Sequence, residues 1–296
     1  MKNKINIRYS QEHKPFKMRD HNILEETKKI LRENDVRLKK KRGQSFIVNQ
    51  EYISKQLQAG KLDKNDIVLE IGAGIGNLTV QISPLVKKIY AIELDHTLAD
   101  ILRRRINSYN NIEVVECDAL KCDFPNFNKI IANIPYNIAS PLTFKILSYK
   151  FEVGILMYQL EFAKRLIAKP GEKEYSRLSV NAALKADIEI IELVPRIAFY
   201  PQPKVDSAIV KILPKEINLK SGVEQIAQIV NRLFPYRNKK VYSAIKHYMS
   251  ELNVNKEFLK QILATIPYSE VRVRDMNINM LDDLTVYILD KMRCLR

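Results

Sequence analysis

The sequence predicts an α/β protein: a parallel doubly wound sheet with helices on both faces, followed by a small α-helical domain. Three observations carry that reading. Short apolar runs of β-branched type alternate with segments of helical period through most of the chain. Gly72, Glu93, Asp118 and Asn133 fall just past the ends of four consecutive runs, where sheets of this kind hold their ligands. After Pro214 the alternation stops and four helical patterns follow.

At 296 residues the chain exceeds the usual span of one hydrophobic core, so a large domain with a smaller partner is expected. The division is a basic, partly mobile extension (1–35), a sheet domain (36–213) and a helical domain (214–296). Residues 1–17 lack apolar periodicity, and Met18 is an alternative start. Ile23, Leu24, Thr27, Ile30 and Leu31 share one helix face between about Asn22 and Arg32. Asn49 can cap a helix that buries Tyr52, Ile53 and Leu57 and closes near Gly60.

The first buried strand is Ile67–Ile71, and Gly72-Ala73-Gly74-Ile75-Gly76 turns it into a helix carrying Leu78, Val80 and Ile82. Ile89–Ile92 follows, then a helix from about Thr97 to Ile106, then strands Ile112–Val115 and Ile130–Ala132. Ser140-Pro141 reads as a helix start, and Val153–Tyr158 as the fifth strand. Apolar runs at Ile188–Val194 and Ser207–Ile212 bring the strands to seven. Val223–Phe234, Lys239–Met249, Lys256–Ile266 and Leu281–Met292 supply the helical domain.

Composition excludes several classes. The apolar fraction of 46% is ordinary for a folded domain, and no run of eighteen apolar residues suits a membrane span. The N-terminus lacks the apolar core of a signal peptide. Cys117, Cys122 and Cys294 have neither metal spacing nor an even number for disulfides, so reduced thiols in a cytoplasmic protein are expected, with no metal site. The net charge of +15 is uneven: residues 1–42 hold 14 Lys/Arg against 6 Asp/Glu, 214–296 hold 14 against 9, and 43–213 hold 21 against 19. A near-neutral body with basic flanks suits a polyanion, although solvated helix faces give the same count.

Two motifs carry chemistry. Glu70-Ile71-Gly72-Ala73-Gly74-Ile75-Gly76 is a strand-to-helix turn whose glycines allow close backbone approach to a ligand. A dinucleotide fingerprint needs glycine where Asn77 stands. The E-x-G-x-G-x-G form is the one S-adenosylmethionine methyltransferases carry. Glu93, 21 residues past Gly72, can take both hydroxyls of a ribose, whereas the helix-capping role suits Asp95 better. Asp118 can accept from an adenine amine or serve as a turn aspartate. In Asn133-Ile134-Pro135-Tyr136 the amide can bond in the plane of a base, and the phenol ring can stack on its face. A plain strand-to-helix turn would use the same residue types.

Taken together, these stretches resemble the small-subunit ribosomal RNA adenine N6-dimethyltransferase family, from about Val36 to the C-terminus. The likeness rests on Gly43-Gln44-Ser45-Phe46-Ile47, the turn from Glu70, Glu93, Asp118-Ala119, Asn133–Tyr136, and Phe199-Tyr200-Pro201-Gln202-Pro203-Lys204-Val205-Asp206-Ser207. Ser45 stands where most members carry asparagine, and Ile47 where they carry leucine. The stretch Phe234–Lys240 looks more like the archaeal branch than the bacterial one.

The resemblance implies a seven-stranded Rossmann-like S-adenosylmethionine methyltransferase domain, that cofactor, and a monomer acting on two adjacent adenosines near the 3′ end of small-subunit ribosomal RNA. By position, Gln44, Ser45, Ile47, Gly72, Gly74, Glu93, Asp118 and Asn133 would line the cofactor, and Asn133, Ile134, Pro135 and Tyr136 would hold the target adenine. Candidate phosphate ligands are Lys39 to Arg42 (Lys40, Lys41 and Arg42 foremost), Arg103 to Arg105, Lys204, Arg237, Lys239, Lys240 and Lys246. Two rivals share the fold: a large-subunit RNA methyltransferase of the resistance type, and a non-catalytic ribosome assembly or transcription factor. A DNA adenine methylase usually has proline where Ile134 stands.

Overall fold

A computed structural model describes residues 22–36, 38, 44–252 and 254–293. By packing, the chain forms two units. The first comprises residues up to Leu142, Phe151–Leu160 and Ile190–Lys211; the second comprises Thr143–Lys150, Glu161–Glu189 and the residues from Ile212 onward.

Strands in chain order are β1 (Phe46–Ile47), β2 (Ile67–Ile71), β3 (Lys88–Glu93), β4 (Ile112–Glu116), β5 (Lys129–Asn133), β6 (Val153–Gln159), β7 (Ala186–Val194), β8 (Phe199–Tyr200) and β9 (Ser207–Pro214). Seven of them form one sheet in the order β4-β3-β2-β5-β6-β9-β7, and β1 pairs with β8 in a separate antiparallel ribbon. The pairs β3–β4, β2–β3, β2–β5 and β5–β6 are parallel. The expected all-parallel sheet is corrected at one place. The Leu160 N–H bonds the Asp206 carbonyl (3.0 Å) and the Lys215 N–H bonds the Lys185 carbonyl (2.9 Å), so β9 runs against both neighbours. An antiparallel strand can enter beside β6 without a helical crossover, because its own start lies next to its neighbour's end.

The helices are α1 (Ile23–Glu33), α2 (Gln50–Gly60), α3 (Thr79–Ile82), α4 (His96–Arg105), α5 (Ala139–Ile146), α6 (Leu160–Ile167), α7 (Arg177–Ala183), α8 (Val223–Leu233), α9 (Val241–Glu251), α10 (Lys256–Ala264) and α11 (Ile278–Arg293). Their ends follow side-chain chemistry. Asn22, Asn49, Asp95 and Asn255 each accept a backbone N–H of the first turn, satisfying donors that the helix itself leaves free. No helix among the described residues is long and apolar enough to cross a membrane.

The central strands β2 and β5 and much of β3 are buried because their residues are apolar on both faces, whereas the edge strand β4 is not. Val68, Leu69, Ile89, Ile130 and Ile131 are all 0% exposed. Helix α1 is tied onto this unit by polar bonds as well as by Ile23 and Leu31. Asn77 donates to the Thr27 hydroxyl (2.8 Å) and the Ile47 carbonyl (3.0 Å), and Arg105 reaches Glu26 (2.8 Å) and the Asn77 amide oxygen (2.9 Å). In the second unit α8 to α11 close around Ile226, Val230, Leu233, Val241, Ile245 and Leu284.

Candidate active site

Consecutive parallel strands start at one edge and end at the other, so the residues after β2, β3, β4 and β5 lie along one rim. Gly72 follows β2, Glu93 ends β3, Asp118 lies two residues past β4, and Asn133 ends β5. All four line one cavity, together with Gln44, Ser45, Gly74, Ile134, Pro135 and Tyr136.

The glycine turn is shaped for close approach. Gly72 sits at φ +75°, its N–H bonds the Ile92 carbonyl (2.8 Å), and an added Cβ would come within 3.5 Å of the Pro135 ring. That wall of the cavity is therefore backbone only. Gly74 at φ +60° directs its N–H at the Glu93 Oε2 (2.8 Å), while the Asp95 N–H bonds Oε1 (2.8 Å). Burial raises the Glu93 pKa, and these amide bonds counter it. A carboxylate oxygen accepts more than one bond, so both remain able to take a hydroxyl. Behind it, Glu70 is fully buried with an unpartnered Oε2, and desolvation pushes its pKa up to about 8.

The second wall is the Asn133–Tyr136 turn. Ile134 donates its N–H to the Met157 carbonyl (3.0 Å), which anchors the turn to β6. The Asn133 Oδ1 is buried and, among the described residues, has no hydrogen-bond partner. Tyr136 begins a 3-10 turn (Tyr136–Ile138) leading into α5, and its phenol lies 2.5 Å from the Ser207 hydroxyl at the start of β9. Burial raises the Tyr136 pKa, and the bond to the Ser207 hydroxyl works against that rise. Ser207 closes the segment that begins at β8. That segment is held at its other end by the β1–β8 pairing and by the Ser45 hydroxyl donating to the Pro201 carbonyl (2.6 Å).

Other expected residues are placed as follows. Gln44 lines the cavity and donates to Asp95 (3.4 Å). Asp118 lines the cavity and accepts the Leu120 N–H (2.9 Å), the bond of a turn aspartate. The Ile47 side chain is 2% exposed in the core, and its neighbour Phe46 lines the cavity, because adjacent strand residues point to opposite sides. The thiol expectation is corrected. The turn after β4 folds the Cys122 N–H onto the Asp118 carbonyl (2.9 Å), which brings Cys117 and Cys122 together as a disulfide. Cys294 lies outside the described residues.

Several cations expected at phosphates are engaged within the protein. Arg103 bonds Asp100 and Glu116, Arg104 bonds Asn34, and Arg105 is held by Glu26. Arg237 donates to the Tyr175 (2.5 Å) and Lys173 (3.0 Å) carbonyls, clamping a loop of its own unit, and Lys240 is paired with Glu270. Lys204, Lys239 and Lys246 are exposed. Lys39, Lys40, Lys41 and Arg42 lie outside the described residues.

Sequence reasoning assigned no role to Leu94, Phe46, Ala119 and Leu120, which form apolar parts of the cavity. Leu94 is 52% exposed at the rim, and its position directly after Glu93 was the available signal. Ser207 had one as well, since it ends the unusual Phe199–Ser207 stretch.

The sequence and this geometry agree with what the chain is similar to. Residues 36–280 match the family model described as ribosomal RNA adenine dimethylase. A probable ribosomal RNA small subunit methyltransferase A from Thermococcus gammatolerans is 42% identical over 84% of this chain and 88% of its own. The crystal structure of a dimethyladenosine transferase from Plasmodium falciparum superposes with a TM-score of 0.75 at 35% identity, covering 82% of this chain and 97% of that one. The 23S rRNA methyltransferase ErmE gives 0.62 at 26% identity, covering 82% and 98%. With the family match spanning most of the chain and the cavity at the expected rim, this protein belongs to the ribosomal RNA adenine dimethylase family.

Proposed function

We propose that this protein dimethylates N6 of two adjacent adenosines near the 3′ end of small-subunit ribosomal RNA, using S-adenosylmethionine, and so takes part in building that subunit. The observation that carries the reading is the buried, unpartnered Asn133 Oδ1 in the cavity wall beside Tyr136. A buried acceptor left unbonded costs ~1–3 kcal/mol, and the amino group of an adenine would supply the missing donors.

The residues present fit the cofactor. The side-chain-free wall at Gly72 leaves room for close approach, Glu93 can take two ribose hydroxyls, and Gln44, Asp118, Leu94 and Leu120 surround the remainder. When bound, S-adenosylmethionine supplies a methyl group activated by its sulfonium. The chain's own task is to make a poor nucleophile reactive, because the N6 lone pair of adenine is delocalised into its ring. Asn133 Oδ1 and the Ile134 carbonyl accept the N6 hydrogens and favour the tetrahedral nitrogen of the transition state. Tyr136 stacks on the base, a contact worth ~1–3 kcal/mol. Positioning supplies most of the acceleration, so no strong general base is needed. Exposed Lys204, Lys239 and Lys246, together with the Lys40-Lys41-Arg42 run, hold the RNA backbone.

The test is incubation with labelled cofactor and separated, unmodified ribosomal subunits, followed by mapping of the product nucleoside. Dimethyladenosine in the small subunit, lost with Asn133→Ala while RNA binding persists, is the expected result. Label in the large subunit would favour the second reading, an enzyme like the 23S rRNA methyltransferase with which the fold superposes. Unchanged turnover by Asn133→Ala would overturn the assignment of the site.

A further inference from the structure

Tyr136 lies on a short turn whose backbone is bonded through the Ile134 N–H to Met157 and through its own carbonyl to the Ala139 N–H. It opens a 3-10 turn of three residues, Pro135 before it lacks an N–H, and its side chain is only half-buried. A half-buried ring at the start of such a turn can still tilt about its side-chain bonds. Yet stacking on a base needs one ring plane, and small misplacements of reacting groups cost large factors in rate.

The far end of the ring has a partner. The phenol oxygen lies 2.5 Å from the Ser207 Oγ. Ser207 is 0% exposed and opens β9, a strand inside the seven-stranded sheet. The residue before it is also pinned: the Asp206 carbonyl takes the Leu160 N–H (3.0 Å), and its carboxylate takes the Arg196 N–H (2.9 Å). The segment that delivers Ser207 is fastened at its start to β1 and to Ser45 on the cofactor side of the cavity. One continuous segment therefore touches both the loop assigned to the cofactor and the tyrosine assigned to the base.

We propose that Ser207 is a positioning residue for methyl transfer: its buried hydroxyl holds the outer end of the Tyr136 ring, on which the target adenine stacks, at one position. This rests on the functional reading given above. Ser207 touches no reacting atom, so its effect passes entirely through the phenol of Tyr136 and appears in the rate of the bound complex rather than in RNA affinity. A net hydrogen bond of ordinary strength corresponds to roughly 3–10-fold in rate.

The experiment is a double-mutant cycle read by single-turnover methylation of unmodified small subunits, with RNA affinity and thermal unfolding measured alongside. Tyr136→Phe and Ser207→Ala are each expected to slow the step ~3–10-fold, with RNA affinity unchanged. The double variant is expected to be no slower than the slower single variant, and Ser207→Thr, which keeps a hydroxyl, to recover part of the loss. If the two losses multiply, Ser207 acts through something other than the phenol and the proposal fails. It fails equally if Tyr136→Phe, which leaves Ser207 and its packing intact, turns over at the wild-type rate. Tyr136→Ala separates this from the broader reading. Wild-type rates with Tyr136→Ala would remove the tyrosine from the mechanism altogether. A large loss there with none in Ser207→Ala would overturn the positioning role alone.

Discussion

Glu70→Gln should flatten the pH dependence of stability across the neutral range. Glu70 is the last residue but one of β2, fully buried, and burial pushes its pKa from the ordinary 4.5 to about 8. The neighbouring Glu93 adds to that rise, while the Thr79 hydroxyl beside it works in the opposite direction. Raised in the folded state, the group holds a proton that the unfolded chain releases above 4.5. Its stabilising contribution is complete below that pH and is lost as the pH climbs through about 8. A single such proton lowers the unfolding free energy by about 1.4 kcal/mol per pH unit. Between about pH 5 and about pH 7.5 that amounts to roughly 3 kcal/mol. Glutamine is neutral at every pH and nearly the same shape, so the variant should lose this slope. Urea unfolding of both proteins at several pH values measures it, and subtracting the two curves removes every group they share. Equal slopes in the two proteins would show that Glu70 is ionised in the fold and that the burial argument is wrong.

Further expectations follow from the same contacts. Gly72→Ala forces a side chain into a φ of +75° next to Pro135. Roughly 1–2 kcal/mol of strain and a weaker grip on S-adenosylmethionine by calorimetry are expected; unchanged affinity would mean that this wall is not the cofactor wall. Glu93→Gln removes the charge that the Gly74 and Asp95 amides hold in place. Cofactor affinity should fall ~10–100-fold, the value of hydrogen bonds to a charged group, with the fold retained by circular dichroism. Lys239→Ala should lower the salt slope of RNA affinity by about one. Arg237→Ala, which releases the Tyr175 and Lys173 carbonyls, should instead lower the melting temperature and leave the slope alone. An Arg237 variant with normal stability and a reduced slope would return that residue to the RNA surface.

The sequence determined the seven strands of the main sheet and the residues that close them, but not the short β1 and β8. An apolar run of β-branched residues can bury both faces only inside a sheet, and alternation with helices orders β2 to β6 in parallel. Once that is granted, Gly72, Glu93, Asp118 and Asn133 must share a rim, because parallel strands all end at the same edge. Asp95 as the cap of α4 was legible for a similar reason, since capping depends on residues only two or three apart.

What the tertiary structure alone decided concerns partners distant in sequence. Local pattern records the period of a segment but not what crosses to it. The reversal of β9, the pairing of Phe46–Ile47 with Phe199–Tyr200 and the Tyr136–Ser207 bond therefore had no local signature. Charge runs are ambiguous for the same reason. Arg103, Arg104, Arg105 and Arg237 count as cations in any sequence, but folding brings carboxylates, an amide oxygen and loop carbonyls to them, while Lys204 and Lys239 stay exposed. The unpartnered Asn133 oxygen is the clearest case. That an asparagine ends a strand is written in the chain, but that no described residue bonds its acceptor follows only from where the neighbouring donors are placed.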